Sequence, residues 1–158
     1  MNSCEELVRG MEAVAGPGNV PISYRIMAQY GREYKIKTNH LTGKGRKQEC
    51  YRNSENLVTF QSLDDRYVYV EGYAMKPGLI PLSHAWVVDL NDGKAIDPTW
   101  PEGDGIYFGV PFDNEFVNDF SISVGCYGIF ENLYKLHRAR NIKRLEDVIK
   151  YLESGIVK

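Results

Sequence analysis

The feature that most constrains the fold is a hairpin pattern over residues 82–100, LSHAWVVDLNDGKAIDPTW. Two apolar runs, 85–90 and 95–96, flank an Asn-Asp-Gly turn at 91–93. Asp-Gly between such runs is typical of a β-hairpin, because glycine tolerates the positive φ of a tight turn. The pattern predicts a strand over about 82–90, a turn, and a strand over about 94–100. Pro98 lacks an N–H, so we expect the second strand to lie at an edge or to end there.

The hairpin carries a histidine on one arm and an aspartate on the other. Side chains alternate between faces along a strand, so His84 shares a face with Trp86. Asp97 lies on the same face of the hairpin if the pairing of the two strands sets His84 opposite an odd-numbered residue. A two-residue turn at 92–93 would leave His84 and Asp97 about 13 Å apart. A hydrogen-bonded pair therefore predicts a longer loop, such as the four residues 89–92.

A histidine oriented by a carboxylate is half of a nucleophilic triad, and the third member is a serine or a cysteine. Cys50 lies upstream, after a polar loop and at the start of an amphipathic segment. A helix N-terminus favours the thiolate, and its first backbone N–H groups point at an oxyanion on the substrate. Cys50, His84 and Asp97 are therefore the candidate catalytic residues. Taken singly, each has a structural alternative: a buried cysteine, a packed histidine and a turn-forming aspartate.

Length and composition predict one globular domain over residues 1–158. A hydrophobic content of 43% can supply a core without disulfides. The net charge of −2 gives no electrostatic argument for nucleic acid. No run approaches the roughly 18 apolar residues of a membrane span. We therefore expect neither nucleic acid nor a membrane as a partner, and we expect the basic cluster at 44–47 to be a solvated loop.

The three cysteines, Cys4, Cys50 and Cys126, are widely spaced. Neither a CxxC nor a Cys/His zinc pattern is present, so no metal and no other cofactor is predicted. The first ten residues carry acids where a signal peptide needs a basic and then an apolar run. These features predict a cytoplasmic protein with reduced thiols. Cys4 and Cys126 do not begin a helix, and we expect them to be structural.

The hydrophobic pattern predicts an α+β fold with an antiparallel sheet. Residues 66–75 alternate strictly, which predicts a strand with its small aliphatic side chains facing inward. Residues 106–110 can add a strand, and 31–47 read as a long loop with a short strand at 34–38. We expect about four to six strands, with 66–75, 82–90 and 94–97 as antiparallel neighbours.

Helical periodicity is present on both sides of the strand region. It predicts helices over 3–15, 49–62, 129–140 and 145–152. Residues 22–30 fit either a strand or a short helix, and 113–119 fit a short acidic helix or a loop. We expect the helix that begins near Cys50 to pack against one face of the sheet.

In the order of its motifs, the chain resembles the transglutaminase-like superfamily, relatives of the papain-type cysteine peptidases. That family carries a helix-initial cysteine, a strand ending in a Gly-Tyr-type pair, then His-Ala-Trp and then Asp-Pro-Thr. The corresponding segments here, over about residues 47–100, are Cys50, Val70-Glu71-Gly72-Tyr73, His84-Ala85-Trp86 and Asp97-Pro98-Thr99-Trp100. The resemblance implies a papain-like core, in which an antiparallel sheet packs against the helix of the nucleophilic cysteine.

The resemblance also implies a cysteine-dependent hydrolase or acyltransferase that acts on an amide bond of a protein or peptide through a thioester. Cys50 would be the nucleophile, His84 the acid and base, and Asp97 the residue that orients the imidazole. Gln48 and Trp86 are candidates for oxyanion or substrate binding, Gln48 by analogy with papain-type enzymes. Two alternatives stay open: a catalytically silent member of this fold that binds a protein or peptide, and an unrelated α+β module.

Departures from the family pattern narrow the class of enzyme that the resemblance implies. Glu49 stands where the family usually has a glycine just before the cysteine, and no acidic calcium-site pattern is found. The chain is also much shorter than the animal cross-linking enzymes. These departures favour a compact hydrolase or acyltransferase over a calcium-dependent cross-linker. The residues do not choose between water and an amine as the group that resolves the thioester, and they leave the oligomeric state open.

Overall fold

The fold is α+β and contains an antiparallel five-stranded sheet. The computed structural model describes residues 6, 9–10, 13, 21–60, 65–101 and 103–158. The strands are β1 (Arg32–Tyr34), β2 (Tyr67–Met75), β3 (Leu82–Asp89), β4 (Lys94–Ile96) and β5 (Ile106–Phe112). Their spatial order is β1-β5-β2-β3-β4, with every neighbouring pair antiparallel. The predicted adjacency of β2, β3 and β4 is confirmed.

The described helices are α1 (Ile22–Tyr30), α2 (Cys50–Phe60), α3 (Asn114–Val124), α4 (Leu136–Arg140) and α5 (Leu145–Gly155), with a 3-10 helix (Phe130–Lys135) before α4. The predicted helix start at Cys50 is confirmed, and 22–30 is a helix. The helix predicted over 3–15 lies largely outside the described residues, and so does the end of the helix predicted over 49–62. Within the described part of the chain, no helix is long and apolar enough to cross a membrane.

The sheet curls until the chain at its two edges meets. Just past β1, Ile36 forms a parallel bridge with Ala95 of β4. The Lys37 N–H donates to the Ala95 carbonyl and the Ala95 N–H donates to the Lys35 carbonyl, at 2.8 Å each. The inside of the curl holds its own small core, formed by Val70, Ala74, Trp86, Val88, Ala95 and Tyr107.

Strand β2 is buried on both faces, so the face that carries its tyrosines is covered as well as the predicted small aliphatic face. Val70 and Ala74 point into the curl, whereas Tyr69 packs in the main core on the opposite face. Tyr69 and Glu71 are at most 1% exposed. The alternating side chains of β2 therefore face two different buried environments, the inside of the curl and the main core, and neither face is open to solvent.

The main core lies between the outer face of the sheet and the helices. Leu57 and Val58 of α2 share this core with Ala85 and Val87 of β3. This packing lays α2 across the middle of the sheet. It brings Cys50, the first residue of α2, toward the end of β3 where His84 lies.

The β3–β4 hairpin has a four-residue loop, 90–93, between its strands. The predicted loop at 89–92 is wrong by one residue, because Asp89 remains in β3 and pairs with Lys94. Its buried carboxylate binds the side chains of Arg66 and Lys37, and its carbonyl accepts the N–H of Gly93. Gly93 has a φ of 69°, which a glycine adopts without steric cost.

The observed register decides how His84 and Asp97 meet. Because Val87 pairs with Ile96, continuing the ladder sets Trp86 opposite Asp97. His84 therefore lies one diagonal step from Asp97 on the same face of the sheet. Diagonal neighbours across a strand pair are within reach of long or aromatic side chains.

Candidate active site

His84 and Asp97 form a buried hydrogen-bonded pair. Nε2 of His84 lies 2.7 Å from Oδ2 of Asp97, and the two side chains are 3% and 0% exposed. The structure thus brings together the histidine and the carboxylate that the hairpin pattern singled out. With the carboxylate at Nε2, the ring nitrogen Nδ1 is the one left for a third group.

The Asp97 carboxylate is saturated with hydrogen-bond donors. Its Oδ1 accepts the backbone N–H groups of Thr99 and Trp100, at 2.9 and 3.0 Å. Its Oδ2 accepts the hydroxyl of Tyr107 at 2.6 Å in addition to His84. Burial acts to raise the pKa of Asp97, but the hydrogen bonds from His84, Tyr107 and the backbone outweigh it and lower that pKa. The carboxylate is therefore held charged and fixed in orientation.

The Cys50 side chain interacts with the His84 ring. Burial acts to lower the pKa of His84, but hydrogen bonds with Asp97 and Cys50 and their charges raise it to about 9. The raised pKa favours the protonated form of the ring. The described residues thus bring all three predicted catalytic residues together, with Cys50 half-buried at the start of α2.

The loop before α2 and the first turn of α2 are tied to the segment just after β4, which contains Asp97. Three hydrogen bonds make the connection: Gly43 N–H to the Asp97 carbonyl at 2.9 Å, Gly45 N–H to the Pro98 carbonyl at 2.7 Å, and the Asn53 side-chain amide to the Thr99 hydroxyl at 2.9 Å. A side chain at Gly45 would meet Asn53 at 2.3 Å. The basic side chains at 44–47 are exposed as predicted, and the backbone between them positions Cys50 relative to Asp97.

Comparisons with protein-family models, with curated proteins and with solved structures found no match.

Trp100 covers one face of the imidazole. The ring centroids of His84 and Trp100 lie 4.1 Å apart and their planes are 21° from parallel. The Nζ of Lys76 lies 4.9 Å from the Trp100 ring centroid. The sequence motif contained Trp100 without a role, and Tyr107 was not singled out. No local spacing points to Tyr107, because it comes from β5, two strands away from β3.

Trp86, a candidate for substrate binding, is fully buried at 0% exposure and so has no surface that a substrate could contact. It lies inside the curl, edge to face with Tyr107 at a centroid distance of 5.1 Å. Its ring centroid is 6.3 Å from that of His84. The prediction of a substrate contact is corrected: the curl encloses this side chain, and Trp86 helps to hold His84 from behind.

Gln48, the other candidate for oxyanion binding, is exposed two residues before Cys50. Its backbone is left-handed, with a φ of 63°, a conformation uncommon for residues other than glycine. Such residues concentrate at functional sites because the surrounding structure holds them in place. The role of the Gln48 amide as an oxyanion donor stays a prediction.

A cleft of ≈ 90 Å³, which we call the triad cleft, is lined by chain neighbours of two triad residues. Tyr51, which follows Cys50, and Ser83, which precedes His84, both line it. The 3-10 helix forms another wall, where the Tyr51 hydroxyl donates to Oε1 of Glu131 at 2.9 Å. A larger cleft of ≈ 490 Å³ is lined by residues of α3, the 3-10 helix and α4, and its lining includes no triad residue. Of these two clefts, the smaller one has the chain neighbours of Cys50 and His84 in its lining.

Glu71 anchors the wall of the triad cleft. Its carboxylate accepts the backbone N–H groups of Ile129 and Phe130 and the hydroxyl of Tyr69, at 2.6 to 2.7 Å. Burial raises the pKa of Glu71 to about 7, although these hydrogen bonds act in the opposite direction. Glu71 belongs to the Val-Glu-Gly-Tyr segment, but no local pattern in the sequence indicates this role.

Gly72 fixes the spacing of the backbones behind the histidine. It pairs with His84 across β2–β3 and with Gly109 across β2–β5. A Cβ on Gly72 would lie 2.3 Å from the Phe108 carbonyl oxygen and 2.4 Å from Cα of Gly109. Only a glycine allows this approach, which is the physical reason for a glycine in the Val-Glu-Gly-Tyr segment.

Proposed function

We propose that the protein is a cysteine-dependent hydrolase or acyltransferase that cleaves an amide bond, of the peptide or isopeptide type, through a thioester intermediate. The observation that carries this proposal is the buried 2.7 Å contact between His84 and Asp97, with Cys50 close enough to the same ring to raise its pKa. A thiol paired with an imidazole that a carboxylate orients is the arrangement that activates a cysteine nucleophile. The order of the motifs supports a transglutaminase-like chain with a papain-like core.

In the first step, the Cys50 thiolate attacks the carbonyl carbon of the substrate, and the carbonyl π electrons move onto its oxygen. Cys50 is the first residue of α2, and the first four N–H groups of a helix have no partner within the helix. The Cys50 N–H is therefore available as one oxyanion donor. Gln48 is the candidate for a second.

In the second step, the protonated Nδ1 of His84 donates its proton to the leaving amine as the C–N bond breaks. The acyl group remains on Cys50 as a thioester, and the neutral ring then takes a proton from the incoming nucleophile. Water yields a carboxylic acid, whereas an amine yields a new amide. In both cases the proton returns to the Cys50–His84 pair.

Asp97 and Trp100 serve this proton transfer without contacting the reacting atoms. Asp97 retains the proton on Nε2 and stabilises the imidazolium, since two backbone N–H groups and Tyr107 prevent its carboxylate from turning. Trp100 keeps water from one face of the ring. A hydrogen bond to a charged group is stronger where water is excluded.

The triad cleft is the proposed place for the substrate, a protein or peptide-like amide. Tyr51 and Ser83, the chain neighbours of Cys50 and His84, line it. The chemistry needs Cys50 as a free thiol, and we therefore propose a reducing compartment, the cytoplasm, as the place of action.

The test is covalent labelling with a peptide-like probe that carries an electrophilic amide or ketone, followed by mass spectrometry of the labelled peptide. We expect the wild-type protein to be labelled at Cys50. Cys50→Ala should abolish labelling with an unchanged circular dichroism spectrum, and the matched control Cys126→Ala should retain it. Equal labelling of Cys50→Ala and wild type would remove Cys50 as the nucleophile. A wild-type protein that binds the probe without reacting would favour the silent binding module.

A further inference from the structure

A second carboxyl group on α2 is buried and incompletely hydrogen-bonded. Glu55 is 4% exposed, and its Oε1 accepts the hydroxyl of Ser121. Its Oε2 has no hydrogen-bond partner among the residues that the structure describes. Burial raises the pKa of Glu55, and the Ser121 hydroxyl acts only in part against it. A buried carboxyl oxygen without a partner is costly, so the atom calls for a donor that the chain does not show.

Glu55 lines a cleft of ≈ 300 Å³ between α2 and α3, which we call the Glu55 cleft. Its rim carries apolar and aromatic side chains that are unusually open to solvent. Phe60, Ile122 and Tyr127 are 74%, 72% and 43% exposed. None of the described residues that line the cleft is a lysine, an arginine or a histidine. Lys135 is engaged with the lining residue Cys126, with Nζ 2.6 Å from Sγ.

We propose that the Glu55 cleft binds an organic ammonium group on a short apolar stem. The ammonium would donate to the Glu55 carboxylate, the stem would lie against Ile122, and the rings of Phe60 and Tyr127 would attract the cation. Aromatic faces attract ammonium ions, and a carboxylate is the strongest hydrogen-bond acceptor for them. Free small amines and lysine side chains of peptides share this chemistry.

The site is distinct from the proposed active site. Glu55 lies five residues beyond Cys50, which corresponds to a rise of about 7.5 Å along the helix. The residues that line the Glu55 cleft and those that line the triad cleft do not overlap. Binding here does not depend on a reactive Cys50, so the two proposals can fail separately.

The experiment is a titration of the ¹⁵N-labelled full chain, followed by amide shifts. The first probe is 2-phenylethylamine, and its matched control is 2-phenylethanol, which has the same stem and no charge. A third probe, Nα-acetyl-lysine methylamide, distinguishes a peptide lysine from a free amine as the preferred source. The variants are Glu55→Gln, which keeps the shape and removes the charge, and Ile122→Ala, an exposed position whose change leaves the core intact. Cys50→Ala tests whether binding at the Glu55 cleft is independent of the triad.

We expect saturable shifts at the amides of Ser121, Gly125 and Tyr127 with an amine and much weaker ones with the alcohol. Glu55→Gln should weaken binding of the amine by about tenfold or more, the effect of losing one charge-assisted hydrogen bond. Ile122→Ala should weaken both phenyl probes, and Cys50→Ala should bind as wild type does. Equal affinity for amine and alcohol, or amine binding that Glu55→Gln leaves unchanged, would overturn the proposal. So would shifts confined to the triad cleft.

Discussion

The imidazole of His84 stacks on the indole of Trp100, with ring centroids 4.1 Å apart. This contact covers one face of the ring that we propose as the proton donor. Trp100 itself is half-buried and is not part of the main core. We expect Trp100→Ala to lower turnover by about tenfold or more, since general acid–base catalysis contributes at least about a hundredfold and depends on ring position.

Trp100→Phe is the matched control, because it retains an aromatic face over the imidazole. It should keep most of the activity, and both variants should keep wild-type secondary structure by circular dichroism. The assay is steady-state turnover of an activated peptide amide. If Trp100→Ala were as active as wild type, the shielding role assigned to Trp100 would have to be dropped.

Asp97→Asn should reduce turnover by roughly 10- to 1000-fold, less than the loss in a serine-protease triad because a thiol needs less help to ionise. An amide can still accept the N–H groups of Thr99 and Trp100 through its oxygen. Its NH₂ group would then face Nε2 of His84 and the hydroxyl of Tyr107. The neutral ring would be forced to carry its proton on Nδ1, toward Cys50, which is the wrong tautomer for accepting the thiol proton. Per-molecule turnover and melting temperature, measured together, check this.

Two aspartates of the same hairpin provide controls with opposite expectations. Asp89 is fully buried and binds Arg66 and Lys37, so Asp89→Asn should destabilise the fold by about 2–4 kcal/mol and spare per-molecule turnover. From the alternation of side chains along β3 alone, a substitution of Asp89 would be expected to have little effect, because Asp89 lies on the face opposite His84. Asp92 is 36% exposed and forms a surface ion pair with Lys37, so Asp92→Asn should change neither quantity appreciably. A turnover loss in Asp89→Asn equal to that in Asp97→Asn would show that the effect is not specific to the triad.

The raised pKa of His84 predicts a pH-dependent stability. The folded-state pKa of about 9 exceeds the ordinary value of 6.5, because Asp97 and Cys50 favour the protonated ring against the effect of burial. The stabilisation is therefore complete below pH 6.5 and is lost as the pH rises through about 9. One pKa unit corresponds to about 1.4 kcal/mol, so a loss on the order of 3 kcal/mol is expected.

Urea unfolding at a series of pH values measures this loss, and His84→Gln should remove the part between pH 6.5 and 9. Glu71 acts in a different window. Burial raises its pKa from 4.5 to about 7, so its contribution is complete below pH 4.5 and is lost by about pH 7. The comparison is the difference in unfolding free energy between the wild-type protein and His84→Gln. If that difference stayed constant from pH 6.5 to 9, it would contradict the proposed ion pair.

Gly72→Ala should destabilise the fold by about 1–3 kcal/mol, because the added methyl group meets backbone atoms of β5 that cannot move without breaking the ladder. It should also lower turnover, since Gly72 is the ladder partner of His84. Gly10→Ala is the control, as a Cβ there meets nothing within 4 Å. Urea unfolding of both variants measures the two free energies of unfolding. If Gly72→Ala were as stable as the wild-type protein, the prediction would be refuted.

Local patterns in the sequence located the sheet core and the three triad residues. Strict alternation predicts β2, the Asp-Gly turn predicts the hairpin, and a polar loop before an amphipathic segment predicts the helix start at Cys50. These signals are local, since each depends on neighbours within a few residues. The register of the hairpin depends on Asp89, whose partners Arg66 and Lys37 are remote in sequence. Turn rules alone therefore misplace the loop by one residue.

Long-range contacts account for what sequence reasoning missed around the triad. Tyr107 reaches Asp97 only because β5 pairs with β2 and the sheet curls, and neither fact is encoded near Tyr107. The same curl buries Trp86, which a strand face taken alone would leave available to a substrate. The pairing of strands that are distant in sequence therefore determines which side chains surround the triad.

The most direct test of the central claim is the rate at which iodoacetamide alkylates each cysteine at pH 7, read by mass spectrometry. If Cys50 and His84 form a thiolate–imidazolium pair, Cys50 reacts well before Cys4 and Cys126 in the wild-type chain. In His84→Ala, which should retain a wild-type circular dichroism spectrum, Cys50 should slow to the rate of the other two. A Cys50 that reacts no faster than Cys4 and Cys126 in the folded wild type, or whose rate is unchanged in His84→Ala, would contradict the account.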